Sequence, residues 1–256
     1  MIKSLAPLLL PAVAIFFLLP VPGPAGEPGD ATSAPEKVRL PGIEIDAEKG
    51  TVDVKAKVCL EYGLLELIAC TRGTKEHESI VAIEAEPIHV HTALLLIGAR
   101  HGNPAMRKPI NEEETRWRHL PPRGDAIQVS LVVTDGEGKK VERPIRDFVR
   151  RTEGDPSMSS MFPESSGTDE SQEQEPFPNT FVFAGSHLIE NEEGVKQYLA
   201  AQSGHVITIS TFGDDLLCLA GFQSRANGEL IWEIDPTHLP ALDSEVILRL
   251  RPQPES

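Results

Sequence analysis

From residue 51 to residue 60 the chain alternates: Val52, Val54, Ala56, Val58 and Leu60 are apolar, with Asp53, Lys55, Lys57 and Cys59 between them. A period of two places alternate side chains on opposite faces and predicts a half-buried strand. Leu64 to Cys70 is a second apolar run, and the intervening Glu61-Tyr62-Gly63 predicts a hairpin between the two. Ile43 and Ile45, before the turn-forming Glu48-Lys49-Gly50, predict an earlier strand feeding the first. Ser79 to Ala85 is a short apolar run that fits a strand or a helix. In PIHVHTALLLIGA (87–99), a proline in the first turn and Gly98 near the end predict a buried helix. Residues 100–124 hold many charges and four prolines, which predicts a long irregular loop.

Alternation returns at Ile127, Val129, Leu131 and Val133, and Asp135-Gly136-Glu137-Gly138 predicts a turn into a return strand at Lys139 to Pro144. One or two helical turns are expected at 145–151. Residues 152–176 then break the pattern: seven acidic residues occur without a basic one, and only Met158, Met161 and Phe162 are large and apolar. Such a stretch buries too little surface to offset its ordering entropy, so it reads as an acidic disordered insertion. Structure resumes at Phe177. The stretches 181–185, 195–200, 205–210, 230–234 and 245–250 read as strands, and DDLLCLAG (214–221) is ambiguous. Many short strands and few helices predict an α+β fold: a mainly antiparallel, sandwich-like sheet with one buried helix and a few short helical turns. Each flank of the insertion offers only four or five strands, so 38–151 and 177–256 are expected to form one domain.

Composition narrows the function. A net charge of −15 argues against a nucleic-acid binder, which needs clustered Lys and Arg. Residues 1–25 carry Lys3, an apolar run from Leu5 to Leu19, and small residues at Gly23 and Ala25, the order of a secretory signal peptide. Cleavage after Ala25 would leave 26–37 as a Pro- and Gly-rich linker and send the chain to the periplasm or outside the cell. The alternative is an uncleaved N-terminal anchor. No later stretch is apolar and long enough to span a membrane, so no stable span is expected after cleavage. Three cysteines in an oxidising compartment leave at least one unpaired within the chain.

The densest chemistry lies in ELIACTRGTKEHES (66–79). Lys75 or His77 could lower the pKa of the Cys70 thiol, with Glu78 orienting the imidazole; Ser79 is the other conceivable nucleophile. The bland reading is a polar turn capped by Glu78 or Ser79. A Cys59–Cys70 disulfide depends on the turn. A bend at Tyr62-Gly63 puts Cys59 opposite Glu66 and about 13 Å from Cys70, whereas a loop centred on Leu64-Leu65 opposes the two. Cys218, in an apolar run, reads as a buried thiol. His89 and His91 would share a face of a strand but lie about 200° apart on a helix. With His77 and Glu78 they make a possible zinc set, although HExxH and CxxC are both missing.

CLEYGLLELIACTRGTKEHESI, with HVHTALLLIGA, LPPRGDAIQV and FVFAGSHLI, resembles the YdjY-domain proteins over roughly residues 38–250. The resemblance implies an exported bacterial protein and lends no activity. Some members carry a ferredoxin-like label, but an iron–sulfur cluster needs four closely spaced cysteines, and three at 59, 70 and 218 cannot hold one alone. No cofactor is therefore expected, with zinc the alternative. The leading expectation is an exported binding or interaction module that meets an unidentified ligand or protein at 100–124. The alternative is an exported hydrolase or thiol-dependent transferase using Cys70, Lys75, His77, Glu78 and Ser79.

Overall fold

The computed structural model describes residues 39–111, 116–152, 176–226 and 229–253. The signal-peptide, linker and insertion segments expected from the sequence lie almost wholly outside these residues.

The first half contains β1 (Arg39–Leu40), β2 (Ile43–Asp46), β3 (Thr51–Val58), β4 (Leu67–Thr71), β5 (Ser79–Ile83) and helix α1 (Pro87–Leu96). Short strands follow at β6 (His101–Asn103), β7 (Met106–Pro109), β8 (Trp117–Leu120) and β9 (Arg123–Gly124). Then come the long β10 (Ala126–Thr134), β11 (Lys140–Pro144) and β12 (Val149–Arg151). The second half holds β13 (Thr180–Phe183), β14 (Leu188–Glu190), β15 (Lys196–Tyr198), helix α2 (Leu199–Ser203) and β16 (His205–Thr208). It ends with β17 (Leu217–Cys218), β18 (Trp232–Ile234) and β19 (Glu245–Pro252).

The main sheet closes on itself. Its order is β3-β19-β10-β13-β17-β16-β4-β5, and β5 pairs back onto β3, giving an eight-stranded barrel. This overturns the sandwich-like α+β expectation. The physical reason is the place of β5. It pairs with β4 on one side and β3 on the other, so no hairpin joins β3 to β4, and closure removes the edges that a sandwich would leave. The two longest early strands each serve twice. β3 gives residues 51–54 to β2 and 56–58 to β5. β10 gives 126–128 to β13 and 130–134 to β11.

The barrel interior takes the alternating residues read from the sequence, among them Val52, Val54, Val58, Ile127, Val129 and Leu131, together with Leu248 and Leu250 of β19, all fully buried. The helix at 87–96 forms but is not a buried helix. Val90, Ala93 and Leu94 join the core, while Ile88, Leu95 and Leu96 face outward. A cylinder lying on a barrel can bury only one stripe, so an all-round apolar sequence still leaves one side exposed. The region 100–124 is also more regular than expected, with β6 pairing β9 and β7 pairing β8. Among the described residues no helix is long and apolar enough to cross a membrane.

Candidate functional site

Two neighbouring strand pairs in the barrel are parallel: β4 with β5, and β16 with β17. Parallel neighbours are ordinarily joined by about a dozen residues or more. Here residues 72–78 and 209–216 suffice, so each crossover is a tight strap. Because β4 and β16 are themselves antiparallel neighbours, the straps lie side by side. The register sorts the side chains beneath them. Ala69 faces Ile207 and both enter the main core, whereas Cys70 faces His205 and Leu67 faces Thr208 on the outer side. Leu67, Cys70 and Ala82 form a separate small cluster covered by Cys59 and Phe212.

The 72–78 strap is closed by its own polar groups. Thr74 Oγ1 donates to the Thr71 carbonyl (2.5 Å), and Glu76 accepts from the Gly73 N–H at 3.0 Å. Ser79, fully buried, donates to the Lys75 carbonyl at 2.7 Å. Lys75 Nζ lies 2.7 Å from Glu78 Oε1. His77 Nε2 is 3.7 Å from the other Glu78 oxygen, but its side chain is 73% exposed. Cys70, Lys75, Glu78 and Ser79 are thus gathered around one bend, with His77 on its solvent side. The strap also rests against Gly204, which has φ +82°; a Cβ there would collide with Thr74 Oγ1.

Cys59, Cys70 and Cys218 are free thiols. The Cys59 Sγ is 3.2 Å from the Ser79 carbonyl and also within hydrogen-bonding reach of Cys70. The two thiols titrate as a pair. Cys59 can donate to an ionised Cys70, and that bond, with the backbone at Lys75, outweighs burial and lowers Cys70 to about 6. The shared proton and burial push Cys59 up. Burial also raises Cys218.

The second strap supplies an unexpected dyad. Asp214 Oδ1 lies 2.6 Å from His205 Nδ1, and the Phe212 ring packs on the imidazole with centroids 4.0 Å apart. The His205 side chain is only 8% exposed, and its Nε2 is buried without a hydrogen-bond partner. Burial raises Asp214, but the His205 hydrogen bond and charge outweigh it and hold the carboxyl below its ordinary range. Asp215 is fully buried; it accepts from Thr208 Oγ1 at 2.8 Å and the Gly213 N–H at 3.0 Å, and burial raises its pKa. Among the described residues, His205, Asp214 and Asp215 are the one group whose donor atoms converge as metal ligands would, all within 4.8 Å. Those donors already satisfy one another and the strap. Sequence patterning hid the dyad: His205 begins a strand-like HVITIS run, and Asp214-Asp215 opens an apolar one. The one usable signal was that acidic pair placed directly against LLCLAG.

The four residues weighed as a zinc set are not brought together as ligands. His89 and His91 lie on α1, so they point to different sides of a helix. His91 Nδ1 is 2.8 Å from the Tyr198 hydroxyl, which donates to the Gly185 carbonyl at 2.9 Å, so Nδ1 carries the His91 proton. Its ring packs 4.8 Å from His101, and burial plus that neighbour lowers His91 to about 4.

Beside the straps lies a cleft of about 730 Å³. One wall comes from 105–107 and 119–122, the other from 211–213 and 222–226. Among the described residues its lining has no carboxylate, but it has Arg107, His119 and Arg225. Arg225 lies over the Phe212 ring at 5.1 Å, and His119 packs on Phe222 at 5.1 Å. Phe212 is shared, lining the cleft on one side and covering the thiol cluster on the other.

No curated protein and no solved structure matches the chain significantly. The YdjY-domain model matches residues 43–251, from the first long barrel partner to the last strand, and the chain belongs to that family.

Proposed function

We propose that this chain is an exported ligand-binding module, and that its cleft takes small anions with a flat apolar part. One observation carries the reading: a protein of net charge −15 has a cleft whose described lining holds three basic side chains and no acidic one. Such a local reversal of sign in a low-dielectric recess concentrates anions. The volume, about 730 Å³, fits a drug-sized molecule. Phe212 and Phe222 offer faces for an apolar ring, and the Arg225 guanidinium offers paired donors for a carboxylate or phosphate. The Lys75–Glu78 pair and the Ser79 hydroxyl, by contrast, are spent on closing the strap. Export rests on residues 1–25, and protein recovered from the periplasm should begin after Ala25.

Benzoate and phenyl phosphate titrated by calorimetry test the cleft, with benzamide as the neutral control. Both anions should bind and benzamide should not. A charge-assisted hydrogen bond contributes about 1.5–3 kcal/mol, so Arg225→Gln should weaken binding by roughly tenfold to a hundredfold. Equal binding of benzoate and benzamide, or full affinity in an Arg107→Gln/Arg225→Gln double variant, would sink the reading.

A further inference from the structure

We infer that Cys70, His205 and Asp214 form a nucleophile, a general base and its positioning group for acyl transfer, served by the cleft behind Phe212. The inference goes beyond ligand binding and does not depend on the charge preference proposed above.

Three observations carry it. Cys70 and His205 are direct partners across the β4–β16 ladder and share the outer face of the barrel. Direct partners in a regular ladder have Cβ atoms about 4.5–5.5 Å apart. Here a β-bulge follows the pair, and the two side chains are neighbours without a hydrogen bond between them, so the imidazole must turn to reach the thiol. Asp214 holds Nδ1 of His205 at 2.6 Å, which fixes the ring and leaves Nε2 as the free nitrogen. That nitrogen is buried and unpartnered, a costly state for a group serving structure alone. The same three roles recur on unrelated folds and are recognised by geometry, not by chain order. Finally, Phe212 touches both the cleft and the cluster around Cys70, and it precedes Gly213 at φ +93°. A swing of that one ring connects a ligand in the cleft with the thiol.

The chemistry balances without a redox partner. His205 Nε2 takes the Cys70 proton, and the sulfur attacks the carbonyl carbon of an ester or thioester. The bond from that carbon to the leaving oxygen or sulfur breaks, and the leaving group takes the proton from His205. Water then attacks the thioester on Cys70, His205 receives its proton and returns it to the departing sulfur, and a carboxylic acid leaves.

The test uses the whole mature chain and p-nitrophenyl acetate, read by nitrophenolate release and by peptide mapping of the acetyl group. The wild-type chain should release a burst matched to the amount of protein and carry acetyl on Cys70, ahead of Cys59 and Cys218. Cys70→Ser should lose the burst, and His205→Gln should slow it by about 10²-fold or more. Asp214→Asn should slow it at least tenfold, while Asp214→Glu, which keeps the carboxylate, should recover part of the rate. Phe212→Ala should speed acylation by opening the path from the cleft. Acetyl absent from Cys70 in the wild-type chain would overturn the inference whatever the variants do. So would a burst indifferent to His205→Gln in a variant with the native circular dichroism spectrum. A failed benzoate titration beside a Cys70 burst would remove the anion preference and leave the triad standing.

Discussion

At the scale of single residues, the side chains that matter most are polar groups held where water cannot reach. His91 shows the thermodynamic consequence. Burial and the neighbouring His101 depress its pKa from 6.5 to about 4 in the folded chain. The unfolded chain therefore binds this proton first as pH falls. The contribution is intact above pH 6.5 and is lost as pH drops toward about 4. A depression of that size corresponds to something on the order of 3 kcal/mol. Denaturant titrations across this window should show His91→Leu losing less stability than the wild-type chain. Identical slopes for the two would mean that His91 titrates normally. Cys70 is also depressed, from 9.0 to about 6, so it follows the same sign of linkage for a different reason: donors around it favour its charged form. The ELIACTRGTKEHES motif was legible as a cluster of reactive types, since those residues are close along the chain. His205 and Asp214 were not, because the strand ladder and a second strap bring them there from more than a hundred positions away.

At the scale of elements, the outer face of the barrel is tied by a charged ladder. Arg249 on β19 reaches Asp53 on β3 with two hydrogen bonds of 2.7 and 2.6 Å, and Glu142 on β11 at 2.7 Å. Arg251 adds 3.1 Å to Glu142, and Ser130 on β10 donates to it at 2.9 Å. Burial alone would raise Glu142, but the two arginines and the serine outweigh it and hold it at about 2. Replacing the hub by Arg249→Met should cost about 1–3 kcal/mol, a charged hydrogen bond's worth with some screening. It should also move the Glu142 titration, followed by carbon NMR, up toward its ordinary 4.5. A Glu142 titration that stays put would assign the depression to Arg251 and Ser130 instead. The strands bearing this ladder were visible as alternation at 52–60 and 127–133 and as an apolar strand-like stretch at 245–250. Their partners were not. A period of two says that a strand has a buried face, yet it is silent on which edge meets which, and a hairpin from β3 to β4 was the nearest choice in sequence. β5 came between them because the 72–78 strap is just long enough to bring it back alongside β4.

At the scale of the whole molecule, strands from both sides of 153–175 interleave in one closed sheet: β10, β13, β17, β16 and β4 succeed one another around the barrel. Neither half can close without the other, so unfolding should be a single event. Far-UV circular dichroism and tryptophan fluorescence should give superimposable urea transitions; two separated midpoints would contradict the interleaving. Leu248 tests the same core. It is fully buried, between Val54 on β3 and Leu131 on β10. Leu248→Ala should lower stability by about 2–5 kcal/mol without splitting the transition.

The sequence by itself determined what is local: that the long alternating stretches become strands, where α1 begins, and the family. These follow from side-chain period, turn chemistry and a contiguous motif, all of which act over a few residues. Only the tertiary structure decided that the sheet closes, that α1 keeps one side in solvent, and that a histidine held by an aspartate is paired across a strand ladder with Cys70, beside a basic cleft. Pairing between distant strand edges is selected by the energy of the whole assembled core, a quantity that no short window of sequence contains.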